Sequence, residues 1–200
     1  MISKEDTVNI DLSKDELNQC INNSKLVLEN LVDRKDLHKR DDFEKFNNIL
    51  MGEIAEFVVL KWLHANNKYA VSSVVKNSGV PDNGHDIELK KNDGTSIKCS
   101  VKSSLSFNKD LDGIIKNFKL ATTEKELRDV NIQVYFWLEL NPQKNQSRAT
   151  VPSFKNSAII GWFGINDLKK FEKYNHEDRQ APITPLKDSR PMTELLIHIK

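Results

Sequence analysis

Pro81-Asp82-Asn83-Gly84-His85-Asp86-Ile87-Glu88-Leu89 and Ser96-Ile97-Lys98-Cys99-Ser100-Val101-Lys102-Ser103, joined by Lys90-Lys91-Asn92-Asp93-Gly94-Thr95, carry the reading on which the fold turns. Gly79, Pro81, Asn83 and Gly84 break any regular element, so Asn77 to Gly84 reads as a loop. Asp86 to Leu89 and Ser96 to Ser103 read as strands, and the Asp93-Gly94 step supplies the positive φ angles of a tight hairpin turn. In the second strand Ile97, Cys99 and Val101 alternate with Lys98, Ser100 and Lys102, which gives one apolar and one polar face. Residues equally far from the turn return to the same end of a hairpin, so Asp86 and Lys102 converge.

Upstream, Ser13 and Glu16 have capping-box spacing, and Leu17, Cys20, Ile21, Leu28, Leu31 and Val32 continue a helix from about Lys14 to Val32. Asp41 or Asp42 caps a longer one. There Phe43, Phe46, Leu50, Ile54, Phe57 and Val58 keep a 3.6 period until Asn66 and Asn67. Tyr69 to Val75 reads as a short strand. Downstream, Ile114 to Asp129 is expected to be a crossover helix, and the apolar run of Ile132 to Leu140 a strand buried on both faces. Ser157 to Phe163 is a further strand. Asn166 caps a short helix from Asp167 to about Tyr174, and Pro182, Pro185 and Pro191 mark an irregular segment before the apolar run Leu195 to Ile199.

Two hundred residues fit a single α/β domain: an N-terminal helical segment at 1–40, a core at 41–140 and a strand-helix extension at 141–200. No apolar run approaches the roughly 20 residues of a membrane span, Met1 to Asp11 has no signal-like core, and a cytoplasmic location is expected. Cys20 and Cys99 are far apart and form no CxxC or Cys/His group, so neither a disulfide framework nor zinc is indicated. The net charge is +1, but Leu89 to Lys119 holds seven lysines against three acids. That stretch is either a phosphate-facing stripe or a solvated surface. Trp62, Trp137 and Trp162 lie on apolar runs and read as core, and His85 as a polar surface residue. No Gly-rich phosphate loop or nucleophile elbow occurs.

Asp86, Ser100-Val101-Lys102 and the helix segment Gly52-Glu53-Ile54-Ala55-Glu56 together resemble the PD-(D/E)xK pattern of restriction-endonuclease-like nucleases. The resemblance covers roughly Met51 to Leu140, where helix, hairpin, crossover helix and buried strand follow that superfamily's core order. It implies a restriction-endonuclease-like core, a central mixed β-sheet flanked by helices. By the same resemblance Asp86 is the metal-bridging aspartate, with Asp82 as second choice. Lys102 is the motif lysine, and Glu56, with Glu53 one turn earlier, is the helix acid of the metal site. Ser100 stands where the superfamily usually has Asp or Glu, so one carboxylate is missing. Enzymes with Ser-x-Lys at this place recruit a glutamate about a dozen residues past the lysine. Here that window offers only Asp110 and Asp112, while Glu124 and Glu126 come later and Glu56 is itself a candidate for the missing charge. The implied activity is Mg²⁺-dependent hydrolysis of double-stranded DNA, most simply by a type II restriction enzyme acting as a homodimer. The alternatives are a structure-selective repair or phage nuclease and a catalytically silent DNA-binding protein.

Overall fold

The computed structural model describes residues 1–31, 41–76, 85–107, 110–123, 125–138, 157–172, 175–176 and 179–200. Helix α1 (Lys14–Asn30) starts in the expected capping box: Glu16 N donates to Ser13 Oγ, and Ser13 N to the Glu16 carboxylate. Helix α2 (Asp42–Ala65) is capped by Asp41, whose side chain accepts from Glu44 N at 2.7 Å. Its Leu50, Ile54, Val58 and Leu63 are fully buried, but Phe43 in its first turn is 71 % exposed and lies off the expected apolar stripe.

Six strands form one mixed sheet. Strand β1 (Val8–Asn9) is at one edge; β2 (Ala70–Ser72), β3 (Ile87–Lys90), β4 (Ser96–Phe107), β6 (Val130–Leu138) and β7 (Ser157–Phe163) complete it in the order β1-β7-β6-β4-β3-β2. Strands β2, β3 and β4 are consecutively antiparallel, β4 and β6 are parallel, and β7 returns antiparallel to β6. The expected strand at Tyr69 to Val75 contracts to three residues. One sheet face, with Ile87, Leu89, Cys99, Ile132, Val134 and Phe136, packs on α1, α2 and the C-terminal helix α4 (Met192–His198). The other face, with Tyr135, Ala158, Ile160 and Phe163, packs on helix α3 (Leu111–Asn117) and Leu120 and Leu186. Every residue of β7 is buried, as a strand covered on both faces requires.

The hairpin turn differs from the expected form. Gly94 N donates to Lys91 O, and among the described residues only Gly94, at φ +89, and Asn67 have positive φ. Asp93 instead accepts from Thr95 N and Oγ1, so one left-handed glycine after an ordinary turn reverses the chain.

The crossover is the larger departure. Instead of one helix from Ile114 to Asp129, α3 stops at Asn117 and the chain continues as β5 (Lys119–Ala121). That strand pairs with β10 (Ile183–Pro185), inside the segment expected to be irregular. A 3-10 turn at Glu126–Arg128 completes the connection. The β5–β10 pairing takes the chain out of the helix, and beyond it Thr123 and Glu126 bond each other's backbone N–H reciprocally, which starts the 3-10 turn. The remaining pieces are the pair β8 (Asn175–His176) and β9 (Arg179–Gln180) and a 3-10 helix at Ile165–Lys170, where a short α-helix was expected. Cys20 and Cys99 are both free and buried. Among the described residues no helix is long and apolar enough to cross a membrane.

Candidate functional site

Asp86 sits where β3 leaves the sheet. Its Oδ2 accepts from Val101 N at 2.6 Å, so the carboxylate occupies the place of the next ladder carbonyl and lies beside the backbone of β4. Register puts Cys99 opposite Ile87, and the adjoining positions are Asp86 and Ser100. Because Cys99 and Val101 pack with the α2 core, the pleat turns Ser100 and Lys102 to the opposite face. Register thus places Asp86 beside Ser100 and Val101, with Lys102 further along the Ser100 face of β4.

Lys102 is held by an acid that sequence spacing had left unassigned. Its Nζ donates to Glu126 Oε1 at 2.5 Å, across 24 residues of chain. Thr122 Oγ1, Thr123 N and Thr123 Oγ1 fix the other oxygen of the same carboxylate, and Thr122 in turn reaches Asn131, which stands beside Ser100 on β6. Burial alone would raise the Glu126 pKa. The bonds from Lys102 and Thr123 outweigh it and bring the value down to about 2, so this carboxylate stays ionised. The two acids inside the anticipated window serve elsewhere. Asp110 caps α3 through Gly113 N, and Asp112 pairs with Lys4 at the surface. Glu124 and Asp82 lie outside the described residues.

Three residues next to Asp86 in chain or register carry buried polar atoms without a hydrogen-bond partner among the described residues: Ser73 Oγ, His85 Nδ1 and Ser100 Oγ. Ser73 N donates to Asp86 O, His85 is its chain neighbour and Ser100 its cross-strand neighbour. Buried polar groups are ordinarily satisfied, so atoms of this kind suit a bond to water or a polar ligand. His85 is only 9 % exposed, against the surface position expected for it.

Glu53 and Glu56 form a separate group. Lys76 Nζ bridges them, bonding Glu53 Oε1 and, at 2.8 Å, Glu56 Oε2, and Asn23 on α1 donates to the other oxygen of Glu53. Glu56 also takes a bond from Ser72, on the α2 side of β2. Burial pushes the Glu56 carboxyl above its ordinary range, and Lys76 offsets that only in part. For Lys76 the order reverses: burial would lower its pKa, but the two glutamates raise it.

Among the described residues no three His, Cys, Asp or Glu side chains converge as a metal cage. Mg²⁺ does not need one, because it keeps several waters and takes one or two carboxylates together with substrate phosphates. Asp86, bonded to Val101 N, and Glu126, bonded to Lys102, are hard oxygen donors of the type that Mg²⁺ takes, and the unsatisfied Ser100 and His85 atoms suit hydrogen bonds to bound water. Comparison with protein-family models, with curated proteins and with solved structures gives no match.

Proposed function

We propose that this chain is a Mg²⁺-dependent endonuclease that hydrolyses phosphodiester bonds of double-stranded DNA, built on a restriction-endonuclease-like core. The single observation that carries the reading is the Asp86 carboxylate bonded to Val101 N, the residue between Ser100 and Lys102, with unsatisfied buried polar atoms on the neighbouring Ser73, His85 and Ser100. The element order supports it too: helix, strand, hairpin and a crossover into a strand parallel to the second hairpin strand.

Asp86 and Glu126 would hold Mg²⁺, which when bound neutralises charge on the phosphate and lowers the pKa of a coordinated water. Lys102 is the chain's own electrostatic contribution. Its ammonium, aimed by Glu126, stabilises negative charge that grows on the phosphate oxygens or orients the attacking water. Glu126 thereby takes the place of the acid missing at Ser100. Glu53 and Glu56 pin Lys76, the last described residue before the loop that leads to Asp86. A homodimer related by a two-fold axis would cut both strands symmetrically, as a type II restriction enzyme does.

The test is Mn²⁺ binding followed by electron paramagnetic resonance, run beside nicking and linearisation of a supercoiled plasmid. Wild type binds the ion and cuts; Asp86→Asn loses both. A wild-type protein that neither binds Mn²⁺ nor cuts overturns the reading. The second reading, a silent DNA-binding protein, rests on the absent carboxylate at Ser100, and DNA retention without cutting is its signature.

A further inference from the structure

Where β4 and β6 begin and β7 ends, the sheet closes on a cavity of about 580 Å³. That is within the range of roughly 300–1,000 Å³ common for small-molecule sites. Ile97, with the nearly buried Trp162 and Leu195, gives the cavity an apolar side, where Arg190 lies 5.3 Å from the Trp162 ring, and Lys91, Lys98 and Arg128 also line it. Among the described residues these three cations make no ion pair, whereas Arg190, also in the lining, is bound by Asp167 and Glu194. The only carboxylate in the lining is Asp129. A scattered surface lysine needs no ligand; three unpaired cations lining one cavity with an apolar side select an anion with a flat apolar body. A bare phosphate would leave the apolar side unused, and an uncharged ring would leave the cations unused.

The position of the cavity points to the same chemistry. Lys98 precedes Ser100 by two residues on the same strand face, about 7 Å along β4. Asp129, in the cavity lining, lies within electrostatic reach of Lys98, His85 and Glu126. We propose that this cavity binds one nucleotide unit, with its phosphate at Lys98 and Arg128 and its base against Ile97 and Trp162. The proposal does not require the Asp86–Lys102 centre to cut DNA.

The test is calorimetric titration in EDTA, where cutting is suppressed, with deoxyadenosine monophosphate, deoxyadenosine, inorganic phosphate and a short single-stranded oligonucleotide. The nucleotide should bind more tightly than the nucleoside or phosphate. Lys98→Met/Arg128→Met should weaken it by about tenfold or more, the loss expected for hydrogen bonds to charged groups. Both substitutions are at exposed positions, and unchanged thermal melts verify the fold. An oligonucleotide that binds more tightly than the mononucleotide assigns the unit to a strand; the reverse assigns it to a free nucleotide. No nucleotide binding into the millimolar range, equal affinity for phosphate, or an undiminished double variant overturns the proposal. Failure of plasmid cutting in Mg²⁺ would leave these results intact.

Discussion

Lys102 and Glu126 meet at 2.5 Å although 24 residues separate them, and the bond closes the crossover connection onto the strand that carries the lysine. A lysine on a polar strand face ordinarily has many rotamers; here a carboxylate anchored by two threonines selects one. The pair sets a carboxylate beside the lysine of Ser100-Val101-Lys102.

That acid carries a pH signature. The Glu126 carboxyl has a folded pKa of about 2 against an ordinary 4.5, so between those values the unfolded chain binds more protons than the native one. Its stabilisation is therefore complete above about pH 4.5 and is lost as the pH falls toward 2. The loss is on the order of 2 kcal/mol, taken below the full shift because the site is partly solvated. Glu126→Gln should flatten this limb, measured as the difference in urea midpoint between pH 6 and pH 3. An unaltered limb would contradict the pairing.

Lys76 pairs with two buried glutamates at once. Lys76→Met should destabilise the fold by about 3–5 kcal/mol, the cost of leaving buried charge without a partner, and the loss should shrink at low pH as Glu56 protonates. Glu56→Gln keeps the Lys76–Glu53 bridge and should retain most of the Mg²⁺-dependent cutting. Loss of cutting in a folded Glu56→Gln protein would move the metal site toward α2.

The hairpin and its apolar and polar faces were readable because a two-residue alternation and a turn glycine are local signals. Glu126 was not, because its approach depends on the chain leaving the helix at Phe118 and pairing Leu120 with Thr184, a partner 64 residues away. The same long-range pairing turned an expected 16-residue helix into seven residues and a strand. His85 was misjudged because polarity says little about a residue that the end of a sheet covers.

Gly161 lets β7 approach the Arg190 backbone. A Cβ there would lie 2.5 Å from Arg190 O, in the bridge that Trp162 N and Arg190 N close with each other's carbonyls. Gly161→Ala should cost about 1–3 kcal/mol or more through forced separation of packed backbone, seen as a lower urea midpoint. A neutral substitution would show that this contact yields freely.

Ser100 Oγ is buried without a partner, so it contributes little to folding. Ser100→Ala should change stability by less than about 1 kcal/mol, because no hydrogen bond is lost. A large loss by urea titration would reveal a bond that the hydroxyl makes in solution.

The most direct measurement is digestion of phage-sized duplex DNA by wild type and Lys102→Ala, each with Mg²⁺ and with EDTA. Discrete fragments from wild type in Mg²⁺ alone, and none from Lys102→Ala, are the predicted result. Intact DNA throughout, or equal cutting by the folded Lys102→Ala protein, would contradict the Asp86–Lys102–Glu126 centre.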